Sequence, residues 1–299
     1  MIYVIGGTTA SGKSSLAFKF AQKVNGVIIN ADAFAVYQEL KIGTAKPTEA
    51  ELKNTTNYMF NVRSITEQFS IYEYQQEARK VIDKYLKLQR PIIIVGGSGL
   101  YIRAVLYDYQ FAKQKVKIDE TKYMELSNLD LHTKLREIDS ESAEKIHPNN
   151  RKRVLRALAI AELGNETKSA QLKKQQKEPL YDYVLVILDA EKQVLNKRIK
   201  ERVERMFNAG LKQEVNNLIA HYPANLQALQ AIGYKEIIEN SDKDDAFLID
   251  LIAHKTSKYA KRQRTFFRHQ FVGKFFYNKD DAFVYLLEKQ KEKSNAKNE

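Results

Sequence analysis

The chain contains no cysteine and no tryptophan, and it has no long apolar run. The absence of cysteine excludes disulfides, thiolate metal sites and cysteine zinc fingers. Since no apolar run approaches the ~18 residues that a membrane-spanning helix needs, we expect no membrane insertion. Met1 leads directly into a short apolar run and a glycine-rich turn, so we expect no cleavable secretory leader. These absences together predict a cytoplasmic protein.

The charge of the chain is strongly basic. Its 49 Lys and Arg residues outnumber 37 Asp and Glu residues, which gives a net charge of +12 at pH 7. An excess of this size predicts a polyanionic partner, either a nucleic acid or an anionic membrane surface. The length of 299 residues allows one large α/β domain, or one domain with a smaller companion.

The stretch "GGTTASGKSS", residues 6–15, follows one apolar run and precedes an amphipathic one. Gly7, Gly12, Lys13 and Ser14 match the phosphate-binding pattern G-x-x-x-x-G-K-[ST], called the P-loop. Backbone N–H groups of such a turn and the positive end of the following helix favour bound anions. Lys13 would reach the outer phosphate, and the Ser14 hydroxyl would hold Mg²⁺. The motif alone fits a kinase, a motor, a GTPase or a protein that only borrows a diphosphate.

Short apolar runs that end at turn signals predict buried parallel strands, with amphipathic helical stretches between them. These strands are Ile2–Ile5, Val27–Asn30, Ile92–Val95 and, much later, Tyr183–Leu188. The stretch between the last two is polar, poor in strand patterns and helical in character. We therefore predict an α/β fold, a P-loop NTPase-like parallel sheet flanked by helices, with an inserted helical domain. The predicted domains are residues 1–112 as the first part of the core, 113–182 as the insertion, and 183–299 as the rest of the core with the C-terminal helices.

Carboxylates follow two of the predicted strands. Asp32 comes directly after the second strand, at the sheet edge where ligands of parallel sheets bind, so it is a candidate base or metal-associated group. Helix N-capping is an equally good interpretation of Asp32 alone. Asp189 ends the latest strand, and for this residue the helical pattern that follows favours an N-cap over a role in positioning Mg²⁺.

A second glycine-rich turn, "VGGSGLY" at residues 95–101, follows another predicted strand. Its three glycines let the backbone approach a ligand closely. A phosphoryl-transfer NTPase usually carries an Asp after such a strand to position Mg²⁺. This strand ends instead in Gly96, Gly97 and Ser98, which does not favour phosphoryl transfer.

Basic residues cluster in three helical patterns. In "RIKERVERM", Arg202 and its neighbours alternate with glutamates, and the residues alone favour a solvated face of ion pairs over an arginine turned onto a phosphate. "KYAKRQRTFFRHQF", residues 258–271, mixes basic with aromatic residues, and "NNRKRVLR" adds a second basic run. Together with the net charge, these two runs favour binding to nucleic-acid phosphates, with base stacking on the aromatic rings.

The motifs taken together resemble one family, the tRNA dimethylallyltransferases. The similarity covers nearly the whole chain, in this order: "TASGKSSLA", Asp32 followed by "VYQELKIGTAKP", "VGGSGLYIRA", "HPNNRKRVLRAL", "RIKERVERMFNAGLKQEV", "QAIGYKE" and "YAKRQRTFFR". The resemblance implies transfer of the dimethylallyl group from dimethylallyl diphosphate to N6 of the adenosine just 3′ of the anticodon in tRNA. It implies that the P-loop holds the donor diphosphate with Mg²⁺, and that no nucleoside triphosphate is consumed.

The resemblance also implies roles for individual residues. Asp32 looks like the general base, Ser98 stands near the reacting groups where the family usually has Thr, and Arg202 matches a diphosphate-binding arginine, which replaces the ion-pair interpretation. The diphosphate cradle would comprise Gly7, Thr8, Thr9, Ala10, Ser11, Gly12, Lys13 and Ser14, with Ser14 on the metal. The tRNA-contacting residues would be Asp32, Ala33, Phe34, Ala35, Ser98, Lys152, Arg153, Val154, Leu155, Arg156, Gln230, Ala231, Ile232, Gly233, Tyr234, Lys235, Lys261, Arg262, Gln263, Arg264, Thr265, Phe266, Phe267 and Arg268.

Four positions depart from the family pattern. Thr8 replaces the usual Pro, Ala33-Phe34-Ala35 replaces Ser-x-Gln, Ala159 replaces an acidic residue, and Phe266 replaces Trp. The change after Asp32 removes a hydroxyl and an amide that could touch the RNA, so it bears on the RNA sequence preference. We expect a monomer whose insertion grips the anticodon stem. A P-loop kinase and a non-catalytic RNA-binding protein stay as alternative functions.

Overall fold

The structure, a computed structural model, describes residues 1–109, 121–163, 167–174 and 178–295. The chain forms two compact units. One, called the sheet unit here, comprises Met1–Leu106 and Tyr181–Glu299, and the other, the helical unit, comprises Tyr107–Leu180. The predicted boundary between residues 112 and 113 lies outside the described residues.

A six-stranded parallel sheet forms the centre of the sheet unit. Its strands are β1 (Ile2–Gly7), β2 (Val27–Asn30), β3 (Asn57–Tyr58), β4 (Ile92–Val95), β5 (Tyr183–Leu188) and β6 (Lys274–Phe276). The strand order is β3-β2-β4-β1-β5-β6, so β1 lies between β4 and β5. Strands β1, β2 and β4 are buried throughout, as expected for a parallel sheet covered on both faces.

Helices surround this sheet. They are α1 (Lys13–Val24), α2 (Glu49–Lys53), α3 (Ile71–Lys87), α4 (Gly99–Leu106), α9 (Lys192–Asn208), α10 (Leu211–His221), α11 (Tyr234–Glu239), α12 (Asp245–Gln270) and α13 (Lys279–Asn295). One core cluster joins Tyr3 of β1 to Phe20 of α1 and Leu286 of α13, so these two helices cover one face of the sheet. The predicted α/β fold with a parallel sheet flanked by helices is confirmed.

Local sequence explains why the longer helices begin where they do. α3 starts after Ser70, whose hydroxyl accepts from the Glu73 N–H while the Glu73 carboxylate accepts from the Ser70 N–H. α12 starts after Asp244, whose carboxylate accepts from the Phe247 N–H at 2.8 Å. The Asp244 cap fixes the start of α12, a helix of 26 residues that runs past the carboxyl ends of the central strands and carries several site residues.

The helical unit contains α5 (Asn128–Ile138), α6 (Ser140–Lys145), α7 (Arg151–Leu163) and α8 (Lys168–Lys174), preceded by a 3₁₀ turn at Thr121–Tyr123. Its core is formed by apolar side chains of α5, α6 and α7, among them Leu131, Leu135, Val154 and Leu158. α5 covers most of the stretch "DLHTKLREID", residues 130–139, and α7 begins at Arg151, directly after Asn149 and Asn150.

Candidate active site

The glycine-rich turn between β1 and α1 forms a phosphate cradle. Gly7 ends β1 with a φ of +134°, and a Cβ on this residue would lie 1.9 Å from the Leu188 carbonyl oxygen, so a side chain does not fit. The Thr8 N–H donates to the Leu188 carbonyl (3.2 Å), and the Ser11 hydroxyl donates to the Thr8 carbonyl (2.7 Å). α1 begins at Lys13, and the positive end of its dipole therefore faces the turn.

Lys13 lies folded back on this turn. Its Nζ donates to the Thr8 carbonyl at 2.6 Å. Burial, and after it the charge of the nearby Arg202, lowers the pKa of Lys13 to about 8, while Asp32 acts in the opposite direction. An ammonium that is buried next to another cation gains from an anion, and a bound diphosphate would supply one.

A cavity of about 290 Å³ lies beside the cradle, and all of its walls belong to the sheet unit. The polar part of the lining includes Thr9, Asp32, Thr44, Arg202, Gln230, Thr256, Tyr259 and Arg262. The apolar part includes Ile199, Val203, Met206, Ala231, Ile232 and Ile252. A cavity whose lining is partly charged and partly aliphatic suits a ligand that has a charged head and a short hydrocarbon group.

Asp32 is held by its own turn. The Asp32 N–H donates to the Asn30 side-chain oxygen (3.1 Å), and the Asn30 amide donates in turn to the Met59 carbonyl (2.9 Å). The Asp32 Oδ1 accepts from the N–H groups of Phe34 (2.9 Å) and Ala35 (3.3 Å). The residue thus caps a turn rather than a helix. Among the described residues, no hydrogen bond reaches its Oδ2, and this oxygen is available to a ligand.

Arg202 enters the same cavity from α9. Its guanidinium donates to the Thr44 carbonyl at 3.5 Å. Burial lowers the pKa of Arg202, Asp32 raises it, and Arg205 lowers it. Arg202 and Asp32 thus share this cavity, and both are close enough to Lys13 of the cradle to influence its pKa.

The "IGTAKP" segment is held in place by hydrogen bonds to Glu214, a residue that the sequence analysis did not single out. The Glu214 carboxylate accepts from the Ile42 N–H (3.0 Å) and from the Tyr234 hydroxyl (2.5 Å). The same hydroxyl accepts from the Gly43 N–H at 3.1 Å. These bonds hold the turn whose next carbonyl, that of Thr44, faces Arg202. Tyr234 is fully buried, and its described contacts are structural.

Ser98 lies beside the segment that leads into Asp32, and Gln263 contacts the cradle. Ser98 precedes α4, and its N–H donates to the Ala31 carbonyl (3.2 Å), which places Ser98 beside the chain that leads into Asp32. Gln263 of α12 accepts from the Thr9 N–H (2.8 Å) and donates to the Gly97 carbonyl (2.9 Å). α12 therefore contacts both glycine-rich turns through one side chain.

The N-cap interpretation of Asp189 is wrong. α9 begins at Lys192, and its N-cap residue is Glu191. The Asp189 carboxylate instead accepts from the Arg264 guanidinium at 2.6 and 2.8 Å, and a Thr8 hydroxyl bond of 3.4 Å joins this pair to the P-loop. The Asp189 side chain is 1% exposed and the Arg264 side chain 22%. The carboxylate pairs with an arginine of α12, 75 residues further along the chain, and the sequence pattern gave no sign of this pair.

The predicted RNA-contacting residues divide into exposed and buried ones. Val154 and Leu155 lie in the core of the helical unit, and Ala231, Gly233, Gln263 and Phe267 are buried in the sheet unit. The exposed residues are Lys152, Arg153, Arg156, Gln230, Lys261, Arg262, Thr265 and Arg268. Ala33, Phe34, Ile232, Lys235 and Phe266 are half-buried.

A second, more open cavity of about 460 Å³ lies along α12. Its lining is basic and aromatic and consists of Lys261, Arg262, Thr265, Phe266, His269 and Gln270. Arg262 lines both cavities, so the open cavity adjoins the enclosed one. Cations beside an aromatic ring suit an RNA backbone and a stacked base.

The metal-binding capacity of the site is limited. Within the described part of the chain, no group of three or more His, Asp or Glu side chains could hold a metal ion. Ser14 is exposed at the start of α1 and can offer one hydroxyl oxygen. A Mg²⁺ ion that keeps several waters and takes its other ligands from substrate phosphates needs few protein ligands, so this donor set fits such an ion.

The fold and the site define a P-loop α/β protein in which a partly aliphatic cavity, lined by a carboxylate and an arginine, adjoins the phosphate cradle. The sequence model of one family, IPP transferase, matches residues 35–270. A tRNA dimethylallyltransferase of Oceanobacillus iheyensis is 40% identical over 272 residues, covering 88% of this chain and 87% of that protein. The chain belongs to this family, the tRNA dimethylallyltransferases, which are prenyltransferases.

Solved structures agree with this assignment. A tRNA isopentenylpyrophosphate transferase from Staphylococcus epidermidis superposes with a TM-score of 0.70 and 32% identity, covering 98% of this chain and 99% of that one. A eukaryotic dimethylallyltransferase, described as acting on tRNA, gives a TM-score of 0.78 at 26% identity, covering 89% of this chain and 69% of that one. The family resemblance deduced from the motifs is therefore confirmed.

Proposed function

We propose that this protein transfers the dimethylallyl group from dimethylallyl diphosphate to N6 of the adenosine immediately 3′ of the anticodon in tRNA, releasing diphosphate. The observation that carries this proposal is a cavity beside the P-loop that Asp32 and Arg202 line together with aliphatic side chains, and both residues are close enough to Lys13 to influence its pKa. Prenyl transfer to an amine needs a proton acceptor on the nucleophile side and cations on the leaving-group side. Both sets of groups are present.

The donor diphosphate would bind to the P-loop. Its oxygens would accept from the backbone N–H groups of the turn and pair with Lys13 and Arg202, and the dimethylallyl group would lie against Ile199, Val203 and Ile252. Ser14 and the diphosphate would hold a Mg²⁺ ion, which would neutralise part of the phosphate charge. As the allylic C–O bond breaks, negative charge grows on the diphosphate, and these cations stabilise it.

The acceptor adenosine would approach from the Asp32 side. An exocyclic adenine amine is a weak nucleophile because its lone pair is delocalised into the ring, so it must be extruded from the stack and lose a proton as the new C–N bond forms. The Asp32 Oδ1 is fixed by two backbone N–H groups, which leaves Oδ2 to take that proton. Ser98, next to the same chain segment, would help to position the amine.

The RNA itself would lie along the basic faces. Exposed cations of α12 and α7, on the sheet unit and the helical unit respectively, support contacts with the phosphates of the anticodon stem-loop. No helix of the described residues is both long and apolar enough to cross a membrane. A tRNA acceptor supports a cytoplasmic location, and the monomeric state stays a prediction that size-exclusion chromatography can check.

The test is a transfer assay with unmodified tRNA and dimethylallyl diphosphate labelled in the hydrocarbon group, with Mg²⁺. We expect label in the RNA and, after digestion, an N6-dimethylallyl adenosine by mass spectrometry. A parallel reaction with labelled ATP should leave both RNA and small molecules unphosphorylated. Phosphoryl transfer from ATP would favour the kinase alternative. RNA binding without transfer of either label would favour a non-catalytic RNA-binding protein.

A further inference from the structure

One buried amide, that of Gln263, joins three separate parts of the sheet unit. Its Oε1 accepts from the Thr9 N–H (2.8 Å) in the P-loop, and its Nε2 donates to the Gly97 carbonyl (2.9 Å) in the second glycine-rich turn. The side chain belongs to α12 and the residue is 6% exposed. The orientation of the amide is fixed, because one partner is a donor and the other is an acceptor.

The residues around the Gln263 amide restrict its position. A Cβ on Gly97 would lie 2.1 Å from the Gln263 Nε2, so the backbone approaches the amide as closely as only glycine permits. The Tyr259 side chain, one turn earlier on α12, lies close to the same amide. An amide with a backbone partner on each side and little exposure acts as a fixed spacer.

The two turns that Gln263 joins serve different substrates in the proposed reaction. Thr9 belongs to the cradle for the donor diphosphate. Gly97 is followed by Ser98, whose N–H donates to the Ala31 carbonyl (3.2 Å). Ala31 directly precedes Asp32, the proposed general base. The amide therefore lies between the donor half and the acceptor half of the site.

We propose that Gln263 is a positioning residue that sets the distance between the allylic carbon of the donor and the adenine N6, an inference that rests on the proposed function. Gln263 is not among the residues that line the enclosed or the open cavity, and its side chain donates to and accepts from the two turns instead. Its exposed neighbours Lys261 and Arg262 face the open cavity, whereas Gln263 points inward to the two turns. The role proposed for Gln263 thus differs from the RNA-contacting role that the family resemblance implies for this segment of α12.

The variant Gln263→Met tests this role, because it keeps the length of the side chain and removes its hydrogen bonds. Displacement of reacting groups by about 1 Å can cost ~10²-fold in rate. We expect kcat to fall by about 10- to 100-fold. The KM values for tRNA and donor, and the calorimetric Kd of inorganic diphosphate, should change less than about threefold, since the other cradle contacts and the basic faces persist.

The variant Gln263→Glu supplies a second readout, a pH profile. When protonated, the new carboxyl can accept from the Thr9 N–H and donate to the Gly97 carbonyl, as the amide does. When ionised, it places a negative charge against that carbonyl and loses the donor. Burial raises the pKa of such a carboxyl. The kcat of this variant, relative to the wild type, should therefore rise as the pH falls.

Controls separate the outcomes. Gln213→Met, at an exposed glutamine of α10, should behave as the wild type, and Lys261→Met should raise only the KM for tRNA. Melting temperatures identify variants that fail to fold. If Gln263→Met keeps a wild-type kcat, or only weakens binding of diphosphate or of tRNA, the inference is overturned. The inference is also overturned if the kcat of Gln263→Glu, relative to the wild type, does not depend on pH. A wild type that transfers no label overturns the proposed function and this inference with it.

Discussion

At the scale of single residues, the structural task and the proposed catalytic task of Asp32 fall to different carboxylate oxygens. Oδ1 stabilises the turn after β2 by accepting from the Phe34 and Ala35 N–H groups. The proposed catalytic task falls to Oδ2. An asparagine can keep the first task, because its side-chain oxygen accepts the same N–H groups, but it cannot take a proton. The substitution therefore separates a structural role from a catalytic one.

We predict that Asp32→Asn lowers kcat by ~10²–10⁴-fold, the usual contribution of a general base. Binding of tRNA and of the donor should persist, and single-turnover kinetics with separate binding titrations would measure both. Asp242→Asn, at an exposed carboxylate that pairs only with Lys243 among the described residues, serves as the control and should leave the rate unchanged. An Asp32→Asn protein with a normal rate and weak tRNA binding would make Asp32 a recognition residue instead.

Lys13 gives the site a predictable pH dependence. Burial, followed by the charge of Arg202, lowers its pKa to about 8. Below this pH the ammonium is charged and attracts the diphosphate, whereas above it the amine is neutral. We therefore predict that kcat/KM for the donor falls as pH rises through about 8, since this ratio reports the ionisation of the free enzyme.

The matched variant for this prediction is Lys13→Arg, because a guanidinium keeps its charge throughout the accessible pH range. Its kcat/KM for the donor is expected to be lower at neutral pH but to lack the decline near pH 8. A decline that persists in Lys13→Arg would assign the ionisation to another group, and Lys46, whose pKa burial also lowers to about 8, would be tested next with Lys46→Gln.

At the scale of helices and strands, apolar runs predict the four longest strands to within two residues, because a buried parallel strand is apolar on both faces. They do not predict β3 and β6, which contain only two and three residues. These short strands are positioned by hydrogen bonding to their neighbours, β2 and β5 respectively. The same contrast holds within the site. The P-loop is a local pattern and is visible in the sequence, whereas Gln263 and Glu214 act through contacts with residues far along the chain.

The pair formed by Asp189 and Arg264 joins the end of β5 to α12, and a stability prediction follows from its burial. Removing one partner of a buried ion pair leaves an uncompensated charge. We predict that Arg264→Ala lowers the free energy of unfolding by about 3–5 kcal/mol, measured by urea denaturation. The Asp189 side chain is 1% exposed, so water cannot easily replace the lost guanidinium.

A double variant tests the cause of that loss. Asp189→Asn combined with Arg264→Met removes both charges, so it should be considerably more stable than Arg264→Ala alone. If Arg264→Ala is as stable as the wild type and only weakens tRNA binding, Arg264 contacts RNA phosphate as the family resemblance implies, and the pair with Asp189 contributes little.

At the scale of the whole molecule, the net charge of +12 is distributed over both units. α7 of the helical unit exposes Lys152, Arg153 and Arg156, and α12 of the sheet unit exposes Lys261 and Arg268 among others. Arg151, in contrast, donates to the Tyr123 and Leu126 carbonyls and serves the fold of the helical unit. The exposed cations of each unit are therefore the ones to test for RNA contact.

If one tRNA contacts both units, cations removed from each should weaken its binding independently. We predict that Lys152→Ala with Arg153→Ala, and separately Lys261→Ala with Arg268→Ala, each reduce the steepness of log K against log salt concentration by about two, one for each phosphate contact. In the quadruple variant the two losses of binding free energy should add, because cations that share no phosphate contact act independently.

The measurement is a salt titration of the Kd for an anticodon stem-loop and for full tRNA. Lys200→Ala with Lys243→Ala removes the same charge from lysines that pair with Asp250 and Asp242, so it controls for net charge alone. This control should change the salt dependence far less than either test pair. If the α7 pair behaves like the control while the α12 pair does not, RNA contact belongs to the sheet unit, and the predicted grip of the helical unit on the anticodon stem is wrong.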